Sequence, residues 1–359
     1  MNAHRPRTFL PHIFGILYGF AIAYASLQPF APWIPPAPGT PFWPLATWPP
    51  KWTRFDVIAN ALAYVPFGMF AALIPRRASP LVRTGVALAA GLTLSFCMET
   101  LQMFLPSRAA SLVDLLANAG GAVVGGLLGG TLVRAERMRQ LLSGARAHAF
   151  IEGRLGDTGI ALLALWLTAQ INPGIPLFAV NFEPGLAPAA ALAAPDIAAT
   201  MLEAAQSAFQ LAGVGLFLAL LLRERRHVGG AVLLLIGMAF LLKGLAAWML
   251  LKPAAWEAWL KPGVAIGIAA GSLGLLLAAF LPRPAQVAAC AVALLSSLLL
   301  PLAASDATAM TAPLTLYNWR YGHLLNFNGL THSVLLVWPI AAAAWLFALA
   351  GKPAWGRPD

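Results

Sequence analysis

The chain has 359 residues, of which 60% are hydrophobic and 10% charged, and it carries a formal net charge of +10. That balance excludes an ordinary soluble globule and points to a polytopic membrane protein. The basic excess does not indicate a nucleic-acid partner, because the basic residues sort by membrane side rather than into one patch.

A spanning helix needs about 20 mostly apolar residues. Ten stretches qualify, roughly 9–30, 57–75, 84–105, 113–133, 159–180, 207–222, 229–251, 263–281, 285–304 and 331–350. They predict an all-α, polytopic transmembrane helical bundle. The first stretch reads as a span and not as a cleavable signal, since it is long, ends in Gln28-Pro29-Phe30 and lacks a small-residue cleavage pattern. With the N-terminus in the cytoplasm, the outer segments hold Lys51, Arg54, Arg108, Lys252, Lys261 and Arg320, and Lys243 lies within a span. The remaining lysines and arginines fall inside, among them Arg76, Arg77, Arg83, Arg134, Arg137, Arg139, Arg223, Arg225 and Arg226. This positive-inside bias predicts both termini in the cytoplasm.

The first four spans contain a repeat. Thr53-Arg54-Phe55-Asp56-Val57-Ile58-Ala59-Asn60-Ala61 is matched by Ser111-Leu112-Val113-Asp114-Leu115-Leu116-Ala117-Asn118-Ala119. Ahead of these, Ser26-Leu27-Gln28-Pro29-Phe30-Ala31-Pro32 parallels Thr100-Leu101-Gln102-Met103-Phe104-Leu105-Pro106. The repeat predicts two hairpins of the same orientation, as in parallel transporter repeats. Their outer connections differ: Trp33 to Pro50 in the first, Ser107 to Ala110 in the second.

On this topology one rim collects Asp56, Asn60, Glu99, Gln102, Arg108, Ser111, Asp114 and Asn118. Each Asp lies four residues before its Asn, so both side chains share a helix face, about 6 Å apart. Glu99 and Gln102 likewise share a face, with Glu99 about 9 Å deep at ~1.5 Å per residue. A carboxylate at that depth is costly unless paired, protonated or hydrated. Thr53 and Ser111 also read as helix N-caps with Asp56 and Asp114 three residues on, a capping-box arrangement. Capping does not account for the Asn residues one turn deeper. Nor does it account for Glu99, an acid near a helix C-terminus. Arg108 is the expected counter-ion for Glu99, Asp114 or both. The cluster is therefore either a polar lock between helices or a pocket open to the outer side.

Asp56-x-x-x-Asn60, Tyr64-x-Pro66-Phe67-Gly68, Glu99-x-x-Gln102-x-Phe104, Arg108, Ser111, Asp114-x-x-x-Asn118 and the Gly-rich helix that follows together resemble the VanZ-like family of bacterial membrane proteins, over roughly residues 10–133. The resemblance implies a four-helix membrane domain with its polar motifs at the outer ends. It also implies a link to resistance against glycopeptide antibiotics, teicoplanin in particular. The family has no settled biochemical activity, so the resemblance implies no catalytic residue.

Beyond this domain (residues 1–133), residues 134–158 read as a basic cytoplasmic linker, part of it an interfacial helix. Residues 159–350 read as a second, six-span membrane region and 351–359 as a cytoplasmic tail. Its outer loops are expected at Asn181 to Gln206, Lys252 to Pro262 and Ser305 to Leu330. The stretch with Asp306, Tyr317, Asn318, Arg320, His323, Asn326, Asn328 and His332 is polar for this chain. It reads as a solvated loop or as a second wall of the outer site.

Lys243, eight residues from the outer end of its span, is expected to snorkel to the rim. Cys97 and Cys290 read as buried apolar thiols. Trp33, Phe42, Trp43, Trp48 and Trp52 read as an interfacial belt, or as a surface for stacking on a sugar or lipid headgroup. The pairs Gly120-Gly121, Gly125-Gly126 and Gly129-Gly130 form a helix-packing stripe.

There is no Gly-Lys-Ser phosphate loop, no His-Glu-x-x-His and no nucleophile elbow, so neither a cofactor nor a metal site is expected. The expected partner is a membrane lipid or a lipid-linked envelope precursor, and the expected place is the bacterial inner membrane. The leading function is binding or protection of an amphipathic envelope molecule at the outer leaflet. Two other readings stay open. One is a membrane-embedded transferase or hydrolase with Glu99 as general acid or base. The other is a transporter or flippase, for which polar residues should reach mid-bilayer, whereas here they crowd one rim.

Overall fold

The computed structural model describes residues 8–43, 53–75, 77–179, 197–257, 259–303, 317–318 and 321–352. The side chains of residues 136–139, 142, 302–303 and 321–327 lie outside that description. The fold is all-helical: α1 (Leu10–Leu27), α2 (Arg54–Leu73), α3 (Pro80–Gln102), α4 (Leu112–Arg134), α5 (Glu136–Ala149), α6 (Gly153–Ala169), α7 (Ile197–Leu221), α8 (Val228–Leu250), α9 (Pro262–Ala279), α10 (Arg283–Ala303) and α11 (Tyr321–Ala350). Among the described residues, extended pairing is limited to two isolated bridges, Phe150 with Leu222 and Leu251 with Tyr317. Nine described helices, α1–α4 and α7–α11, are long and apolar enough to cross a membrane. The protein is a multi-pass membrane protein. The chain divides into two compact units, Arg7–Arg146 and Ala147–Asp359.

In the first unit α2 packs chiefly on α4, α3 packs on α4, and α1 leans on α2 and α3. The α2–α4 contact is close because α4 has no side chain in the way. A Cβ on Gly121 would lie 2.0 Å from the Ala61 carbonyl oxygen, and one on Gly125 would lie 2.0 Å from that of Val65. Small residues at such a crossing let backbones approach and gain packing where lipid offers no hydrophobic drive. Of the glycine stripe predicted from sequence, Gly121, Gly125 and Gly129 face α2 and Gly126 faces α3, while a Cβ on Gly120 or Gly130 would meet nothing within 4 Å. At the other end of this unit the buried Arg83 donates from Nη1 to the Ala72 carbonyl (2.7 Å) and from Nε to that of Ala78 (3.2 Å). It thereby ties the Ala72 carbonyl in the last turn of α2, at the negative end of the helix dipole, to the Ala78 carbonyl just before α3.

Residues 33–43, in the long connection of the first hairpin, fold back on α3. Ile34 N–H donates to the Phe104 carbonyl (2.8 Å), and the Trp43 indole donates to Thr100 Oγ1 (3.2 Å) while packing on Phe96. Trp43 is buried, unlike the belt residue expected, because its indole N–H found a fixed acceptor on α3. Trp33 and Phe42 are exposed, and Trp48 and Trp52 lie outside the described residues. Cys97 is exposed on α3, so only Cys290 is the buried thiol predicted. Helix α5 occupies the basic stretch read as a linker.

In the second unit α7 packs on α9 and α10, and α6 on α11. Trp166, Phe178, Phe217, Trp338 and Trp345 form its aromatic interior. Three features differ from the sequence expectation. First, α7 begins at Ile197, inside the stretch expected to be an outer loop. Glu203 and Gln206 in it are both buried, and the Ala/Leu/Glu/Gln run has strong helix propensity. Likewise α11 begins at Tyr321, within the other expected loop.

Second, the expected span 159–180 is broken. α6 has 17 residues and ends at Ala169, and residues 170–179 continue as buried non-helical chain. Irregular backbone at membrane depth is tolerated where protein encloses it. Third, Lys243 does not snorkel. It is 1% exposed and donates from Nζ to the carbonyls of Asn172 and Ile175, both at 2.8 Å. The broken segment provides the acceptors that hold the ammonium inside the protein.

Of the polar stretch predicted before α11, Tyr317 and Asn318 pair with the end of α8. Asn318 donates to the Leu250 and Leu251 carbonyls. Burial pushes the Tyr317 phenol up to about 12. Asp306 and Arg320 and the side chains of His323 and Asn326 lie outside the described residues, while His332 is buried in α11.

Candidate functional site

The repeat places the end of α1, the start of α2, the end of α3 and the start of α4 together at one end of the first unit, and all eight predicted residues lie there. Their individual bonds break the symmetry of the motif.

Thr53 caps α2. Its Oγ1 accepts from Asp56 N–H (3.1 Å), and Asp56 Oδ2 accepts from both the Thr53 N–H (3.2 Å) and its hydroxyl (2.6 Å). Asp56 is thus engaged through Oδ2 as a capping-box acid. At the second copy Ser111 caps α4 in the same way, accepting from Val113 and Asp114 N–H. The Ser111 N–H, however, is taken by Glu99 Oε2 at 2.7 Å. Asp114 is displaced from the cap and accepts instead from the Asn60 amide on α2 at 2.7 Å. Two equivalent aspartates therefore do different work. The cause is Glu99, which has no acidic counterpart in the first copy.

Glu99 is buried, at 4% exposure, and its carboxyl interacts electrostatically with that of Asp114. Arg108 does not answer either acid. Its Nε and Nη2 donate to the Gln28 carbonyl (3.0 and 2.7 Å), and Nη2 also donates to that of Ala25 (3.1 Å). The expected ion pair gives way to a cap on the last turn of α1, where exposed carbonyls and the helix dipole attract a guanidinium. Burial pulls the Arg108 pKa below its usual value. Gln102 serves the same helix end, donating from Nε2 to the Ser26 carbonyl (2.9 Å). Among the described residues the Arg108 Nη1 group makes no hydrogen bond.

One turn deeper, the Asn118 amide donates to Ser95 Oγ (2.9 Å), and its buried Oδ1 has no hydrogen-bond partner. Ser95 is fully buried and does not stand out in the sequence. It lies four residues before Glu99, so helical spacing alone puts it on the same face.

The arrangement leaves a buried carboxyl and a half-buried one from adjacent helices, answered only by neutral donors, with an unpartnered amide oxygen beneath. Among the described residues no group of three or more His, Cys, Asp or Glu side chains could hold a metal ion. The site is thus acceptor-rich at its centre and cationic at its margin.

Residues 9–132 match the model of the VanZ/LLP1 family, roughly a third of the chain. No curated protein and no solved structure matches this chain.

Proposed function

With residues 9–132 forming a VanZ/LLP1-family domain, we propose that the protein binds or sequesters an amphipathic cell-envelope molecule, a lipid-linked precursor or a lipoglycopeptide, at the outer leaflet of a bacterial inner membrane. Antibiotic resistance would be one consequence. The observation that supports this most is the pair Glu99 and Asp114: close carboxyl groups at the end of a membrane bundle with no cation on them among the described residues. Desolvated charge of one sign costs several kcal/mol unless compensated. An ammonium, amide or hydroxyl group of a ligand compensates it, and the Arg108 Nη1, without a hydrogen bond among the described residues, would answer a phosphate or carboxylate on the same molecule. Asn60 and Ser111 orient the two acids, and Gln102 fixes the end of α1 beside them. Asp56 acts as a helix cap and stands outside ligand contact.

The test is saturable binding of a fluorescent lipoglycopeptide and of a lipid-linked precursor to the purified protein. Glu99→Gln should weaken binding about tenfold, the scale of one charge-assisted contact, and lower drug tolerance in cells. If Glu99→Gln and Arg108→Ala both fold and bind as the parent does, no site exists at this rim. Formation of product from the precursor would move the assignment to a lipid-linked transferase or hydrolase with Glu99 as acid or base.

A transport reading draws on one observation in the second unit. Gln210, midway along α7, is buried and accepts from Ser297 Oγ at 2.6 Å, so polar groups are not confined to a rim. Movement of a labelled headgroup across proteoliposomes tests it.

A further inference from the structure

The second unit concentrates buried polar groups around the break in α6. Asn172 is the hub. Its Nδ2 donates to Thr331 Oγ1 on α11 (2.8 Å), its Oδ1 accepts from Gly174 N–H (2.9 Å), and its carbonyl accepts from Lys243 on α8. Ser207 on α7 donates to the Leu177 carbonyl of the same segment (3.2 Å). The C-terminal ends of α6 and α8 and the N-terminal halves of α7 and α11 therefore meet at this break.

Those internal bonds leave several buried donors unanswered. A lysine ammonium has three N–H groups, and Lys243 places two on backbone carbonyls, with no carboxylate on it among the described residues. Gln210, one turn beyond Ser207, uses its oxygen on Ser297, and its buried Nε2 has no acceptor. The Trp166 indole, whose ring stacks on Phe178 of the broken segment, has a buried Nε1 with no acceptor. Trp259, packed edge-on against Phe240 one turn before Lys243, has the same. Glu203 on α7 is paired with Lys261 through Oε1 at 2.9 Å, and its buried Oε2 makes no hydrogen bond among the described residues. Unanswered donors and an uncompensated ammonium in a bilayer-embedded interior are costly, and they mark functional sites in membrane proteins. Unwound helix segments near such a charge are where polar ligands bind in membrane transporters.

From these unanswered donors and the carboxylate-free ammonium at the break we infer that Lys243, Gln210, Trp166 and Trp259 form an oxyanion site at the α6 break, which takes the carboxylate or phosphate group of a ligand. The site lies in the second unit and does not depend on the rim site of the first. The Asn172 and Ile175 carbonyls fix the ammonium, and the remaining N–H groups surround the anion.

The test uses the full chain in neutral detergent. Binding of inorganic phosphate and of acetate is followed by calorimetry, and binding of phosphatidylglycerol against phosphatidylethanolamine by native mass spectrometry. At least one anionic probe should bind saturably, with Lys243→Gln weakening it at least about tenfold and Gln210→Leu weakening it severalfold. Binding of phosphate or acetate identifies a soluble anion as the ligand class, and binding of phosphatidylglycerol alone identifies a lipid headgroup. Exposed basic residues such as Arg225 and Arg226 supply a non-specific background that Lys243→Gln leaves intact. If Lys243→Gln does not fold, Gln210→Leu and Trp259→Phe carry the test, since both remove a donor and keep an apolar body. Absence of saturable anion binding by the parent, or unchanged affinity in the folded variants, overturns the site.

Discussion

At the scale of single residues, hydrogen-bond partners rather than charge signs decide roles. Asp56 closes a capping box, so Asp56→Ala should lower stability by about 0.5–2 kcal/mol and leave ligand binding unchanged, read by heat unfolding and the binding assay together. Asp114 ties α4 to α2 through Asn60. A double-mutant cycle with Asn60→Ala and Asp114→Ala should give a coupling near the ~0.6 kcal/mol typical of hydrogen bonds between membrane helices, and below about 2. A cycle with Asn60→Ala and Asp56→Ala should give none. Arg108 reaches carbonyls of α1 with two of its nitrogens. Arg108→Ala should cost about 1–2 kcal/mol as a lost helix-end cation, and Arg108→Lys should recover only part, because a point charge lacks the guanidinium fork. Equal stability of Arg108→Lys and the parent would contradict the cap.

At the scale of elements, the α2–α4 crossing depends on where α4 has no Cβ. A Cβ at Gly121 or Gly125 would stand 2.0 Å from a backbone carbonyl oxygen of α2, whereas one at Gly120 would meet open space. Gly125→Val should therefore cost at least about 1–3 kcal/mol, since a backbone and not a side chain must move. Gly120→Ala should stay within about 0.5 kcal/mol of the parent. Thermal unfolding of the two variants in the same detergent separates a packing requirement from a general intolerance of the glycine-rich helix. The break after α6 belongs to this scale too. α6 alone, at 17 residues, is about 25 Å long at ~1.5 Å per residue, short of a ~30 Å hydrocarbon core. The expected span 159–180 is therefore not one membrane-length helix but a 17-residue helix followed by the buried non-helical segment 170–179.

For the whole molecule, the basic residues predict its orientation. If the positive-inside bias sets the topology, single cysteines introduced at Ser143 and Gly351, in a background lacking Cys97 and Cys290, should react with an impermeant reagent only after the inner face is opened. A cysteine at Thr40 should react from outside. Labelling of Ser143→Cys from outside in intact cells would reverse the membrane sides and move the Glu99–Asp114 rim to the cytoplasm, away from lipoglycopeptides. The two units pack around separate interiors, one made of glycine-spaced backbones and the other of aromatic rings.

Hydropathy and helical periodicity are local properties, so the chain alone determined the membrane class, nine of the ten expected spans, and the gathering of eight polar residues at one end of the first unit. The same local rules misplaced the starts of α7 and α11, because burial of polar residues such as Glu203 and Gln206 follows from the fold and not from the local sequence. Tertiary structure alone decided what each polar group touches. Two identical motifs diverge because Glu99, brought in from α3, takes the Ser111 N–H and displaces Asp114. Arg108 and Lys243, both expected to seek an acid or the surface, settle on backbone carbonyls at helix ends. A hydrogen bond forms only within about 3 Å. Which unsatisfied carbonyl comes that close is fixed by how distant segments pack, and spacing along the chain carries no record of it.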